Sequence, residues 1–237
     1  METMHSIDLF GLEKERLREA SIHAMEGCQS ALEIPGCANS FEGLVAMLDQ
    51  LFASEVDWVE RQRAILGMLR GLKLSSKEIT KYVDWQGDSP YTRNLVASDG
   101  KNYSLLVLCW KPGRESRIHN HPCQGCFVRV LCGSLVETLY SVHPEIDEIR
   151  EITARVANAG SVSFMNDDLG LHKIGAENNA CGAVSLHLYT PPFSSCKVWS
   201  SSGQGQLANF QEGLVEFSDH ASDMPYPSND IEAEYYI

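Results

Sequence analysis

The spacing of apolar residues changes near Trp85 and divides the chain into two halves of different character. Before that point the spacing is helical. GLEKERLREASIHAMEG carries Leu12, Leu17 and Ile22 near a helical period and stops at Gly27. Ser40 precedes a second run, FEGLVAMLDQLF, and Gly43 stands where a capping box would place an acid, so the cap is serine alone. Asp57-Trp58-Val59 opens a run that reaches Leu72. Ser75-Ser76-Lys77-Glu78 starts another, with Ser75 three residues before Glu78.

From Tyr91 onward the runs are short and either alternating or β-branched. NYSLLVLCW (102–110), CFVRVL (126–131), SLVETLY (134–140), EIREITARV (148–156), SVSFM (161–165) and AVSLHLY (183–189) predict strands. Turn residues bound them: GDSP at 87–90, KPG at 111–113, CG at 132–133, HP at 143–144 and NAG at 158–160. Many short strands spaced by turns predict an antiparallel sandwich or small barrel. No linker, repeat or low-complexity block separates the halves, so the helices are expected to cover the barrel in one mainly β, α+β unit. The expected division is a helical region over 1–84, a β-barrel core over 85–217 and an acidic tail over 218–237, all in one domain of 237 residues.

Composition narrows the function classes. Hydrophobic residues make up 43% of the chain and charged ones 22%, enough apolar material for a sizeable core. The net charge of −13 repels phosphate backbones and argues against a nucleic-acid partner. The last basic residue is Lys197; Glu212, Glu216, Asp219, Asp223, Asp230, Glu232 and Glu234 follow it without counter-charge. No apolar run approaches the roughly 20 residues of a membrane helix. METMHSIDLF lacks the basic and apolar regions of a secretory signal. The eight cysteines, at 28, 37, 109, 123, 126, 132, 181 and 196, therefore read as reduced thiols of a cytoplasmic protein. Cys123 and Cys126 form a CxxC, but no second pair stands at a zinc-site distance.

The densest chemical signal is Arg117-Ile118-His119-Asn120-His121-Pro122. Residues i and i+2 of a strand share a face, so both imidazoles would point the same way and form half of a metal site. An isolated HxH reads equally well as two polar residues on a solvated strand. Its surroundings decide. Gly113, five residues, His119-Asn120-His121, four residues, Cys126, six residues and Gly133 resemble the first cupin motif, with Cys126 where many cupins place a glutamate ligand. Gly160, five residues and Asn166-Asp167-Asp168-Leu169-Gly170-Leu171-His172 resemble the second, with Asn for the usual Pro and one extra residue before the histidine. A cupin-type small β-barrel, or jelly roll, with helices packed against it is the fold this implies.

Further blocks sharpen the resemblance. Tyr91-Thr92-Arg93-Asn94-Leu95, Leu108-Cys109-Trp110, Cys126-Phe127, Gly133-Ser134-Leu135-Val136-Glu137-Thr138-Leu139 and Ser185-Leu186-His187-Leu188-Tyr189-Thr190-Pro191-Pro192-Phe193 join the two motifs in order. Between about Tyr91 and Trp199 the chain resembles the cysteine dioxygenases, the thiol dioxygenases of the cupin superfamily. That resemblance implies one Fe(II) per chain on His119, His121 and His172, with L-cysteine and O2 as substrates and cysteine sulfinic acid as product, on a route towards taurine or sulfate. Three imidazoles without a carboxylate depart from the common two-histidine, one-carboxylate iron triad. Arg93 would clamp the substrate carboxylate with its planar fork, and Tyr91 would add a hydroxyl. Cys126 and Tyr189 match the pair that becomes a covalent thioether in animal-type members. Ser185, His187 and Tyr189 alternate on one strand face and would form a relay that orients the tyrosine hydroxyl, making His187, Tyr189 and Cys126 the catalytic set. Trp110 would wall the site, and Thr190-Pro191 matches the family's cis-proline turn. The chain is expected to be a monomer.

Other readings compete. The related 3-mercaptopropionate dioxygenases tend to carry Gln at the Arg93 position and Gly at the Cys126 position. Oxidation of an N-terminal cysteine on a protein would leave the Arg93 clamp without a free carboxylate. A non-catalytic, metal-binding cupin has no need of three histidines, Arg93 and Tyr189 together.

Overall fold

Ser40 Oγ accepts a hydrogen bond from the Gly43 amide at 3.0 Å and starts α1 (Phe41–Ala53) as the serine cap predicts. Asp57 caps α2 (Trp58–Gly71) through the Glu60 amide, and Ser75 caps the short α3 (Ser76–Thr80) through the Glu78 amide. This computed structural model describes residues 37–85, 88–143, 148–178, 181–202 and 209–216. The helical run at 11–26 and the acidic tail over 218–237 lie outside those residues.

The strands are β1 (Tyr91–Ser98), β2 (Ser104–Trp110), β3 (Ile118–His119), β4 (Gly125–Cys132), β5 (Ser134–His143) and β6 (Glu148–Asn158). They continue with β7 (Val162–Met165), β8 (Leu171–Ala176), β9 (Ala183–Thr190), β10 (Ser195–Ser202) and β11 (Asn209–Glu216). All six strand runs predicted above are present. Five strands were not singled out: β1, β3, β8, β10 and β11. Of these, β3 is two residues long, and no run of alternation can announce so short a strand.

The strands form two antiparallel sheets. The first has the order β1-β2-β9-β4-β7 and the second β11-β10-β3-β8-β5-β6. Alternation along the strands sorts the first sheet into two apolar faces. Leu105, Val107, Cys109, Phe127, Val184, Leu186 and Leu188 pack with Phe41, Leu44, Leu48, Ile65 and Leu69 of α1 and α2. Leu106, Leu108, Trp110, Cys126, Val128, Val130, Ala183 and Tyr189 point the other way and meet Leu135, Leu139, Ile174 and Ala176 of the second sheet. The first sheet is thus buried on both sides, which explains why β2 and β9 are buried at every position. Each aliphatic side chain so buried stabilises the fold by roughly 1.5–3 kcal/mol. The expected architecture, a mainly β two-sheet barrel with the N-terminal helices packed against it, is the observed one.

Loop geometry delivers the site. Gly170 has φ +105°, and a Cβ there would stand 2.5 Å from the Tyr140 carbonyl oxygen. Only glycine lets the chain pass this close before β8 begins. The Thr190–Pro191 bond is cis, as the family's turn implies.

Candidate metal centre

The period of two places the candidate residues inside the barrel. His119 of β3 stands opposite His172 of β8, while their neighbours Ile118 and Leu171 join Tyr140 and Ile149 in a separate cluster on the outer side. His121 lies two residues further on, and its amide donates to Asp167 Oδ1 at 2.5 Å. Asp167 Oδ2 accepts from Asn120 Nδ2 at 2.9 Å, so the Asn166-Asp167-Asp168 segment pins the HxH turn. His119, His121 and His172 are all buried, and one nitrogen from each falls within 4.8 Å of the others.

Hydrogen bonding fixes which nitrogens are free. His119 Nδ1 donates to the Arg117 carbonyl at 2.9 Å, and His172 Nδ1 donates to Glu137 Oε1 at 2.8 Å. In the neutral rings both Nε2 atoms then carry lone pairs, and these atoms stand 3.3 Å apart. His121 Nδ1 is buried without a hydrogen-bond partner. Burial, reinforced by the charge of the neighbouring histidines, holds His119 and His121 well below the usual histidine pKa. Converging lone pairs on neutral imidazoles repel one another without a cation, and a first-row divalent ion bonded at about 2.0–2.1 Å spans such a gap. The donor set fits a metal.

Sequence reasoning did not single out the residue behind His172. Glu137 of β5 is only 2% exposed, and its Oε2 accepts from Arg155 Nε at 2.8 Å and Arg155 Nη2 at 2.5 Å. Burial would raise this carboxyl, but the hydrogen bond from His172 and the charge and hydrogen bonds of the Arg155 guanidinium outweigh it and hold it at about 2. A signal was available: Glu137 interrupts an apolar alternation between Leu135 and Leu139, where an inward residue should be apolar. Asp167 carried no such signal.

The first sheet supplies the opposite wall. Registration sets Tyr91 opposite Trp110, Arg93 opposite Leu108, Ser185 opposite Val130, His187 opposite Val128 and Cys126 opposite Tyr189. All therefore share the inward face. The Trp110 indole Nε1–H donates to Ser185 Oγ at 2.8 Å, Ser185 Oγ lies 2.8 Å from His187 Nε2, and His187 Nδ1 lies 3.4 Å from the Tyr189 hydroxyl. Trp110 is more than an apolar wall: it opens a chain of polar contacts that ends at Tyr189. The Tyr189 ring lies 6.5 Å from that of His121, and the Arg93 guanidinium carbon sits 5.5 Å from the Tyr189 ring centre. Tyr91 stacks on Trp110 at 4.3 Å. Burial, together with the nearby Arg93 charge, lowers His187 to about 3, and burial pushes the Tyr91, Tyr189 and Cys126 groups up. The ten candidate residues named from the sequence thus converge between the two sheets. The seven cysteines among the described residues are free thiols.

Comparison with known proteins agrees with this geometry. The profile of the family described as cysteine dioxygenase type I matches residues 33–202. Cysteine dioxygenase type 1 of Bos taurus is 34% identical over 157 residues, covering 66% of this chain and 76% of that protein. The protein of the same name from Homo sapiens gives the same values, and that of Danio rerio is 32% identical over 163 residues, covering 68% and 79%. Among solved structures, KdgF from Halomonas sp. is 18% identical with a TM-score of 0.36, covering 47% of this chain and 90% of that one. The barrel is read from the strand order and not from that match. With the profile spanning more than two thirds of the chain, this protein belongs to the cysteine dioxygenase type I family.

Proposed function

We propose that this chain adds both atoms of O2 to the sulfur of L-cysteine and releases cysteine sulfinic acid, the second oxidation level of a thiol. The observation that carries the reading is the cluster of three buried imidazoles, His119, His121 and His172, facing Tyr189 and Arg93 in a chain of this family. Iron(II), one per chain, is the proposed metal; when bound it would favour the substrate thiolate over the thiol and bring O2 beside it.

The chain's own residues do the rest. Arg93 binds the substrate carboxylate with a planar pair of donors, and its inward position beside Tyr189 supports this role. Tyr91 lends a hydroxyl to the same carboxylate. Ser185 is fully buried, so its hydroxyl proton needs an acceptor; it already accepts from Trp110, and His187 Nε2 lies 2.8 Å away. Ser185 therefore donates to Nε2, His187 carries its proton on Nδ1 and donates to the Tyr189 oxygen, and the phenolic O–H is left to point into the site. Cys126 forms a thioether to the Tyr189 ring, its S–H and one ring C–H being lost as two protons and two electrons that pass to O2; their direct opposition on β4 and β9, where side chains approach most closely, supports this link. The link would fix the ring and remove a thiol that could compete with the substrate.

One chain supplies every residue of this site, so the proposed active unit is the monomer. The free thiols support a reducing, cytoplasmic setting. Among the described residues no helix is long and apolar enough to cross a membrane.

The test is product identification. Protein loaded anaerobically with Fe(II), mixed with L-cysteine and exposed to isotopically labelled O2, should yield sulfinic acid carrying label at both oxygens. Stoichiometric iron without cysteine-dependent O2 uptake would overturn the reading.

A further inference from the structure

The metal site contains no carboxylate among its three proposed ligands, yet one stands directly behind His172. We infer that Glu137 is a positioning residue for the metal centre. It lends His172 the negative charge that the three-imidazole set lacks, and Arg155 sets how much of that charge His172 receives. The inference rests on the reading of His119, His121 and His172 as metal ligands.

Three observations carry it. First, the three imidazoles are not held alike. His119 Nδ1 meets a neutral backbone carbonyl, His121 Nδ1 meets no hydrogen-bond partner, and His172 Nδ1 meets a carboxylate at 2.8 Å. Only the His172 contact is charge-assisted, so His172 is the strongest electron donor of the set. Second, the two oxygens of Glu137 are divided between two tasks. Oε1 goes to His172, while Oε2 takes both Arg155 contacts. Arg155 is registered opposite Glu137 on β6, so the sheet itself holds the guanidinium in place. It draws density away from the carboxylate and so weakens the push on His172. Third, this carboxylate is costly to bury. Glu137 and His172 are both about 2% exposed in the side chain, and Glu137 occupies an inward position between two leucines. Burying a carboxylate there costs several kcal/mol, and buried ion pairs replaced by apolar residues often leave a fold as stable or more so. A charge buried at such cost directly behind a proposed ligand points to a role through that ligand.

Two variants test the inference, read by metal affinity and by the potential of the Fe(III)/Fe(II) couple in addition to turnover. Glu137→Gln keeps an oxygen to accept from His172 Nδ1 and loses the charge. It should bind Fe(II) about 10- to 100-fold more weakly in competition with a chromogenic chelator. Its iron should be easier to reduce, so the couple moves to higher potential. Arg155→Met leaves Glu137 with His172 as its one charge-assisted partner, and the couple should move to lower potential. Opposite shifts from the two variants are the signature; a purely structural role would not separate them by sign. Wild-type affinity and potential in Glu137→Gln, or shifts of the same sign in both variants, overturn the inference. If Glu137→Gln does not fold, Arg155→Met decides alone: a lower potential supports the inference, and an unchanged or higher one overturns it. Wild-type protein that binds no Fe(II) overturns the ligand reading together with this one. Iron binding by the wild type with no effect of either variant overturns this one alone.

Discussion

His119 and His172 face each other as a registered pair on β3 and β8, with their Nε2 atoms 3.3 Å apart and both Nδ1 protons committed elsewhere. With both Nε2 atoms unprotonated, two lone pairs so close call for a cation between them. A divalent metal added at about 100 times its dissociation constant should therefore stabilise the fold by about 2.7 kcal/mol. The midpoint of thermal unfolding should rise on metal addition and return on chelation. In His172→Ala the rise should vanish, and a variant that still responds would place the metal elsewhere.

Arg93 is half-buried on the inward face of β1, beside the Tyr189 ring. In the proposed role of carboxylate clamp it would contribute charge-assisted hydrogen bonds worth roughly 1.5–3 kcal/mol. Arg93→Ala should raise KM for L-cysteine about 10- to 100-fold and leave KM for cysteamine, which has no carboxylate, nearly unchanged. Equal losses for both thiols would remove the clamp from the account.

Trp110 donates the first hydrogen bond of the chain that ends at Tyr189. Trp110→Phe keeps the ring stacking on Tyr91 and deletes the donor. One net hydrogen bond is worth about 1 kcal/mol, so kcat should fall roughly fivefold with little change in KM. A change confined to KM would mean that the indole only shapes the pocket.

Cys126 and Tyr189 stand opposite each other across β4 and β9. If the thioether forms, protein that has turned over should be lighter than the uncrosslinked chain by two hydrogen atoms. In intact-mass spectra that species should be absent from Cys126→Ser. Its persistence in the variant would assign the loss to another pair.

Asp99 shapes the turn between β1 and β2 by accepting from the amides of Lys101, Asn102 and Tyr103 and from the Asn102 side chain. Burial raises its carboxyl, but these donors together outweigh it and hold it at about 2 against the ordinary 3.8. The folded value is the lower one, so the stabilisation is complete above about pH 4 and is lost as the pH falls through about 2. Asp99→Asn should flatten the acid limb of a stability-versus-pH curve between those values. An unchanged acid limb would assign the acid sensitivity to other carboxylates.

The short apolar run SLLVLCW and the alternation in AVSLHLY were enough to predict β2 and β9, and the serine and aspartate caps were enough to predict where α1, α2 and α3 begin. These are local signals: a strand face or a helix start is written within a few residues. The histidines, Arg93 and Tyr189 were legible for a different reason, because their spacing from glycine turns matches a family pattern. Tertiary structure decided what lies between distant segments. It set β3 beside β8 and so made a metal site of residues 53 positions apart. It brought Trp110 to Ser185 over 75 positions, and it turned Glu137, read in the sequence as one letter of a matching block, into the charge behind His172. Hydrogen-bond partnership across sheets depends on register and on the packing of both faces, and neither is encoded in any one segment.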